Sequence, residues 1–175
     1  QIDRASVITD HMRKSARLAN EEQAEADIAS VVSDTYLLVE SSLRLESIDF
    51  RTEIEASMTP CKVHPIRLEQ VLLNLISNAR DAFKSSQDRN GVDWILISAR
   101  QKTAHSIQLT VADSAGGIPD NHIQRIFDPF FTTKEVGKGT GLGLSISYSI
   151  IKDSGGKLSV KNSKDGAVFT LTLPA

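Results

Sequence analysis

Nine of the ten glycines in this 175-residue chain fall between Gly116 and Gly166, and four of them crowd into residues 137–143. The stretch "GKGTGLGLS" (residues 137–145) is followed by "ISYSIIKDSGG", whose apolar residues recur at helical spacing until Gly155 and Gly156. Glycine-rich chain that runs into a helix N-terminus is one of the few physical solutions for holding phosphate. Unpaired backbone N–H groups and the positive end of the helix dipole converge there. The distribution places the chemistry late in the chain, while the first half reads as helix and strand.

The periodicities around this loop set the remaining architecture. Residues 1–19 put Ile2, Ala5, Ile8, Met12, Ala16 and Ala19 on one stripe, as in a bundle or coiled-coil helix. The polar link "NEEQAE" leads to a second apolar-periodic run over residues 27–45, and "IDFRTEIEA" then alternates as a strand does. Later strands are "WILISARQ", "SIQLTVAD", "KLSVKNS" and "GAVFTLTL"; only "KTAH" separates the first two, which predicts a hairpin. Helices are expected over residues 65–85, 119–126 and 141–153. Helix interleaved with antiparallel strand, without strict alternation, predicts an α+β two-layer sandwich with a mixed, mostly antiparallel sheet, preceded by one long N-terminal helix. Neither a Walker loop nor the G-x-G-x-x-G dinucleotide fingerprint is present.

Composition narrows the partners. A formal net charge of −2, with no basic tract longer than Arg13–Lys14, argues against a nucleic-acid binder. The single Cys61 excludes an intrachain disulfide and any multi-cysteine zinc site, which fits a reducing compartment, and is read as a passive buried thiol. No apolar run approaches the ~20 residues of a membrane span, and no secretory pattern opens the sequence, so a cytoplasmic segment without membrane contact is expected.

The helix over residues 67–83, "RLEQVLLNLISNARDAF", turns Leu68, Leu72, Leu75, Ala79 and Phe83 to one side. Asn74, Asn78 and Asp81 share an arc of roughly 60° at ~100° per residue, forming one polar ridge. Asparagine in mid-helix competes with the backbone for hydrogen bonds unless its carboxamide has other work. A carboxamide oxygen is a hard ligand suited to Mg²⁺, which takes few protein oxygens, several waters and substrate phosphates. Downstream, "VADSAGGIPD" ends a strand at Asp113 and turns through Gly116 and Gly117 to Pro119, a favoured first-turn residue. A carboxylate fixed at a strand end can accept from an exocyclic amino group, and neighbouring glycines let a flat ring approach the backbone; adenine suits that description.

Together these residues resemble the ATP-binding domain of sensor histidine kinases, in the superfamily that includes gyrase, the ninety-kilodalton heat-shock chaperone and the MutL repair proteins. "NLISNARDA" is similar to the N box, "DSAGGIP" to the first glycine box, "IFDPFFTTK" to the F box, "GTGLGLS" to the second glycine box, and "GGKLSVKNSKDGAVFTLTLP" to the closing strands. The resemblance covers residues 24–175 and implies a Bergerat-type fold. Residues 1–23, containing "VITDHMRKSAR", resemble the second helix of a dimerisation hairpin and a linker. It further implies that Asn78 ligates Mg²⁺ and Asn74 supports the metal or triphosphate. Asp113 would accept from adenine N6, with Gly117 beneath the base and Thr170 near it. Residues 127–134 would begin a lid from which Lys134 approaches phosphate. The N–H groups of Gly141, Leu142, Gly143 and Leu144 would cradle the triphosphate of ATP. Asp81, Ile118, Phe130, Lys138, Gly139 and Thr140 complete the expected cofactor-binding set. Residues 132–140 have two lysines, two glycines and no apolar face, so weak ordering without ligand is expected. Two departures from the family pattern stand out: Ala115 replaces a usual glycine, so the turn must tolerate a methyl and lose φ > 0 freedom there, with nucleotide binding expected to survive, and His64 stands where aspartate is common, read as structural.

In hydrolysing members of the superfamily a glutamate four residues before the metal-binding Asn activates water. Here that position is Asn74, which cannot act as a general base, and Glu69 lies roughly 180° around the helix from Asn78. Transfer to a neutral imidazole needs positioning and charge neutralisation more than a base. The resemblance therefore implies an ATP- and Mg-dependent histidine protein kinase of a two-component system, with slow intrinsic hydrolysis. It also implies a receiver-domain response regulator as partner and a homodimer in the longer protein. None of His11, His64, His105 and His122 sits in the usual acceptor context. The phosphoacceptor is thus expected outside this sequence, with His11 a bundle residue and His105 and His122 solvated. The alternatives are a nucleotide-regulated ATPase or clamp of the same superfamily, and a degenerate regulatory module without nucleotide.

Overall fold

A computed structural model describes residues 24–85, 91–134 and 139–175. The N-terminal helix expected over residues 1–19, with His11, lies outside them, as does Lys138.

Helix α1 spans Ile28–Leu45 and starts where Asp27 caps it, accepting from Ser30 N at 3.2 Å and Ser30 Oγ at 2.6 Å. These bonds, the Ser30 hydroxyl first, hold the Asp27 carboxyl below its usual range. Strand β1 (Asp49–Ile54) follows, then helix α2 (Pro65–Ser85), hairpin strands β2 (Trp94–Thr103) and β3 (Ser106–Asp113), short helix α3 (Asp120–Ile123), helix α4 (Gly143–Asp153), and strands β4 (Lys157–Asn162) and β5 (Ala167–Pro174). The strands form one sheet in the order β1-β2-β3-β5-β4, parallel only between β1 and β2. The mixed, mostly antiparallel α+β sandwich is therefore the architecture observed.

The helices cover one face of the sheet. Leu68, Leu72, Leu75 and Ile76 of α2 are buried in one cluster with Ile95 and Ile97 of β2, Leu109 of β3 and Leu171 of β5. The period-2 alternation of β5 sends Ala167, Phe169, Leu171 and Leu173 into this core. The other face is open, and register aligns Ser98, Thr110, Thr170 and Ser159 in a row of hydroxyls across four strands.

Helix α2 is tied to the end of α1 by charge. Arg80 donates from Nε to Glu46 Oε2 at 2.8 Å and from Nη2 to Oε1 at 2.6 Å, and Lys84 Nζ lies 2.9 Å from Oε1. His64, immediately before α2, offers its carbonyl to the N–H groups of Arg67 and Leu68, each at 3.0 Å, which fits its structural reading.

The helix expected over residues 119–126 is shorter. It is helical only over Asp120–Ile123, after which three-residue turns continue through Arg125 N to His122 O, Asp128 N to Arg125 O and Phe131 N to Asp128 O. Pro129 supplies no N–H and disfavours helical backbone at Asp128, so no regular helix resumes there.

Candidate nucleotide site

Three elements open onto one cavity of about 620 Å³, in the range of small-molecule sites. Helix α2 contributes Asn74, Asn78 and Asp81, so the predicted polar ridge is the one that faces it. The end of β3 and the turn beyond it contribute Asp113, Ala115, Gly117 and Ile118; residues before α4 and its first turn contribute Gly139, Thr140, Gly141, Gly143 and Leu144. Lys134 also lines the cavity, beside the ridge of α2. Of the expected site residues within the described chain, only Phe130, Leu142 and Thr170 do not line it.

Asp113 is 6% exposed, a burial that for a carboxylate demands fixed partners. Its Oδ1 accepts from Ala115 N at 2.9 Å and Ala167 N at 3.2 Å. The turn bends at Gly116 and Gly117, with φ of +84° and +85°. Ala115 is not among the residues with positive φ and is buried, so the turn accommodates its methyl.

At the opposite end, Leu142 occupies the N-cap of α4 and no side chain caps it, leaving the first-turn N–H groups for an anion. Gly141, at φ +66°, is pinned because Phe130 N donates to its carbonyl at 2.9 Å, and a Cβ there would lie 2.4 Å from the Phe130 carbonyl carbon. Phe130 itself adopts φ +67°, an uncommon conformation for a side-chain-bearing residue, and its ring is exposed. Its role is this backbone clamp; Phe131 presents the cavity-lining ring. Asn74 donates from Nδ2 to Ser147 Oγ at 2.8 Å, and a Cβ on Gly143 would lie 2.1 Å from Asn74 Oδ1. Lys134 Nζ forms an ion pair with Asp81 Oδ2, linking the lid's start to the polar ridge.

Two expectations are corrected here. Thr170 belongs to the hydroxyl row on the open face, because the alternation of β5 places Ala167 and Phe169 on the cavity side instead. His122 is not merely solvated: it lines the cavity with its ring edge-on to that of Phe131, centroids 5.4 Å apart, while His105 is exposed at the hairpin as expected. Phe169 was findable from strand alternation; His122, Ser147 and Ile126 have no local sequence signal.

The donor set fits Mg²⁺ of the kind held largely by substrate phosphate and water. Asn78 offers one carboxamide to the cavity that the uncapped start of α4 also lines, and no cluster of three or more His, Cys, Asp or Glu that could hold a metal exists among the described residues. Also among them, no helix is long and apolar enough to cross a membrane.

Residues 63–175 match the family described as histidine kinase-, DNA gyrase B-, and HSP90-like ATPase. Among curated relatives, the two-component sensor PprA of Pseudomonas aeruginosa is 32% identical over 174 residues, which is 99% of this chain and 19% of that protein. The C4-dicarboxylate transport sensor protein DctB of Rhizobium meliloti is 34% identical over 172 residues, 98% of this chain and 26% of that protein. The chain thus spans a fifth to a quarter of these relatives' length. Among solved structures, a nucleotide-free catalytic domain of histidine kinase ThkA superposes with a TM-score of 0.75 at 34% identity, covering 88% of this chain and 96% of that one. ThkA in complex with the response regulator protein TrrA matches with a TM-score of 0.70 at 28% identity, covering 97% of this chain and 48% of that one.

Proposed function

The chain belongs to the histidine kinase-, DNA gyrase B- and HSP90-like ATPase family, and from that premise we propose that it binds Mg-ATP and donates the γ-phosphoryl group to a histidine of a dimerisation hairpin. Residues 24–175 would form the catalytic unit and residues 1–23 the end of that hairpin and its linker. The observation that carries the reading is the convergence on one cavity of Asn78, the buried Asp113 beside two left-handed glycines, and an uncapped helix start.

Each end of the cavity has a chemical task. Asp113, oriented by two backbone N–H groups, accepts from the exocyclic amine of adenine, a ring that Ile118, Ile126 and Phe169 flank with apolar surface. The N–H groups at the start of α4 take phosphate oxygens, and Lys134 adds a positive charge. Asn78 would hold Mg²⁺, and the ion supplies charge neutralisation on the phosphates. Asn74, engaged with Ser147, supports the metal side by fixing α2 against the phosphate-binding helix. In the transfer, an imidazole nitrogen of the acceptor forms a bond to the γ-phosphorus while the bond to the β-phosphate oxygen breaks and ADP leaves.

Hydrolysis is disfavoured by what lines the site. Among the described residues no glutamate faces the cavity, and its two carboxylates are committed, Asp81 to Lys134 and Asp113 to backbone N–H groups. This favours the kinase reading over an ATPase clamp. The histidine kinase ThkA, solved in complex with the response regulator protein TrrA, supports a receiver domain as downstream partner.

Calorimetric titration with a non-hydrolysable ATP analogue, with and without Mg²⁺, tests the proposal. Binding strengthened by Mg²⁺ is expected, followed by acid-labile phosphate on a purified acceptor hairpin added with ATP. Absence of binding at millimolar nucleotide overturns it.

A further inference from the structure

We propose that Asn162 is a positioning residue that sets the adenine selectivity of the cavity, an inference that rests on the nucleotide reading above. Asn162 is the last residue of β4, an exposed strand end where an asparagine ordinarily meets solvent. Instead, both ends of its carboxamide are used on one distant residue. Nδ2 donates to the carbonyl of Ile118 at 2.7 Å, and Oδ1 accepts from the Ile118 N–H at 2.8 Å. The side chain thereby pairs with Ile118 as a neighbouring strand would, across 44 residues of sequence.

The position of this clasp gives it a task. It grips the chain immediately after Gly116 and Gly117, whose φ of +84° and +85° only glycine adopts readily, and such a pair is the softest part of any turn. A Cβ on Gly117 would lie 2.7 Å from Asn162 Oδ1, so the carboxamide rests directly against that glycine. The β4–β5 connection holds the same turn at two more points: Gly116 N donates to Asp165 O at 3.0 Å, and Ala167 N to Asp113 Oδ1 at 3.2 Å. The base-recognising carboxylate and the floor beneath the base are thus both indexed to this connection.

Discrimination between bases needs that rigidity. Adenine presents an amine to Asp113, whereas guanine presents a carbonyl oxygen that a carboxylate repels. The penalty is felt in full only if the floor cannot shift to relieve it. Asn162 prevents that shift without touching the nucleotide itself.

The test compares wild type with Asn162→Ala by calorimetry, using three probes with Mg²⁺: a non-hydrolysable ATP analogue, its guanine counterpart, and inorganic tripolyphosphate. The expected result is roughly tenfold weaker binding of the adenine analogue, the scale two partly exposed hydrogen bonds support, with the adenine-over-guanine ratio falling at least threefold. Tripolyphosphate affinity stays unchanged, and exchange of the Ile118 amide accelerates. A purely structural loss would weaken all three probes together and leave the ratio intact, which overturns the proposal, as does an unchanged adenine affinity and ratio. If Asn162→Ala fails to fold, Asn162→Asp is read the same way. Its carboxylate keeps the acceptor but sets an oxygen against the Ile118 carbonyl, so the ratio must still fall. A wild-type protein that binds no adenine nucleotide sinks the nucleotide reading and this one together; wild-type binding with an unmoved ratio sinks this one alone.

Discussion

Asn74 of α2 donates from Nδ2 to Ser147 Oγ of α4 at 2.8 Å, a side-chain bond that joins the polar ridge to the helix whose start faces the phosphate end of the cavity. Ser147 is 1% exposed, and removing its hydroxyl takes away the partner of the Asn74 amide hydrogen. Ser147→Ala is expected to cost about 1–3 kcal/mol of stability, read as a lower urea midpoint with unchanged slope. Gly143→Ala drives a methyl toward Asn74 Oδ1, where 2.1 Å is available, and is expected to weaken ATP-analogue binding more than tenfold.

Asn78 and Lys134 are expected to act on the phosphate end alone. Asn78→Ala should abolish the strengthening of ATP-analogue binding by Mg²⁺, and Lys134→Ala should weaken triphosphate binding about tenfold. Adenosine binding, followed in parallel, should move by less than twofold in either variant. Loss of adenosine binding would place these residues elsewhere in the site.

Acid should loosen the junction between α1 and α2 before the rest of the fold. Glu46, hydrogen-bonded by Arg80 and then Lys84, titrates at about 2 against an ordinary value of 4.5. Because its folded value is the lower one, the stabilisation is present above pH 4.5 and is lost as pH falls toward 2. With the pair partly exposed to solvent, about 1–2 kcal/mol is at stake. Denaturant melts of wild type and Glu46→Gln should differ near neutral pH and converge across that window.

Cys61 should be inert in the native protein. Burial pushes its thiol up to about 11, and its Sγ lies 3.5 Å from the Ala26 carbonyl oxygen. Iodoacetamide at pH 8 is expected to label it only after unfolding, in agreement with its reading as a passive buried thiol. Rapid native labelling would mean that the bridge between Ala26 and Cys61 opens.

Features written in local periodicity were legible from the sequence. The stripe of Leu68, Leu72 and Leu75 located α2 and, with it, the arc of Asn74, Asn78 and Asp81; the alternation in β2 and β3 located their hairpin and the strand end at Asp113. Thr170 is a position that the family resemblance alone puts near the base; the alternation of β5 turns it to the opposite face from Ala167 and Phe169. The early end of α3 at Ile123 has no local sequence signal. Tertiary pairings left no trace in one chain's sequence: nothing about Asn162 announces Ile118, and nothing about Ser147 announces Asn74, since a polar side chain's partner is chosen by folding rather than by spacing.

The strand order has a consequence for how the molecule comes into being. Strand β3 sits at the centre, flanked by β2, its immediate predecessor, and by β5, which follows β3 only after α3, α4 and β4. A ribosome-bound chain can zip β2 to β3 early, but Asp113 gains its bond from Ala167, and the cavity its Phe169 wall, only when β5 arrives to pair. The cavity is thus completed only when β5 pairs, and a nascent chain stalled before that strand has no finished pocket to fill.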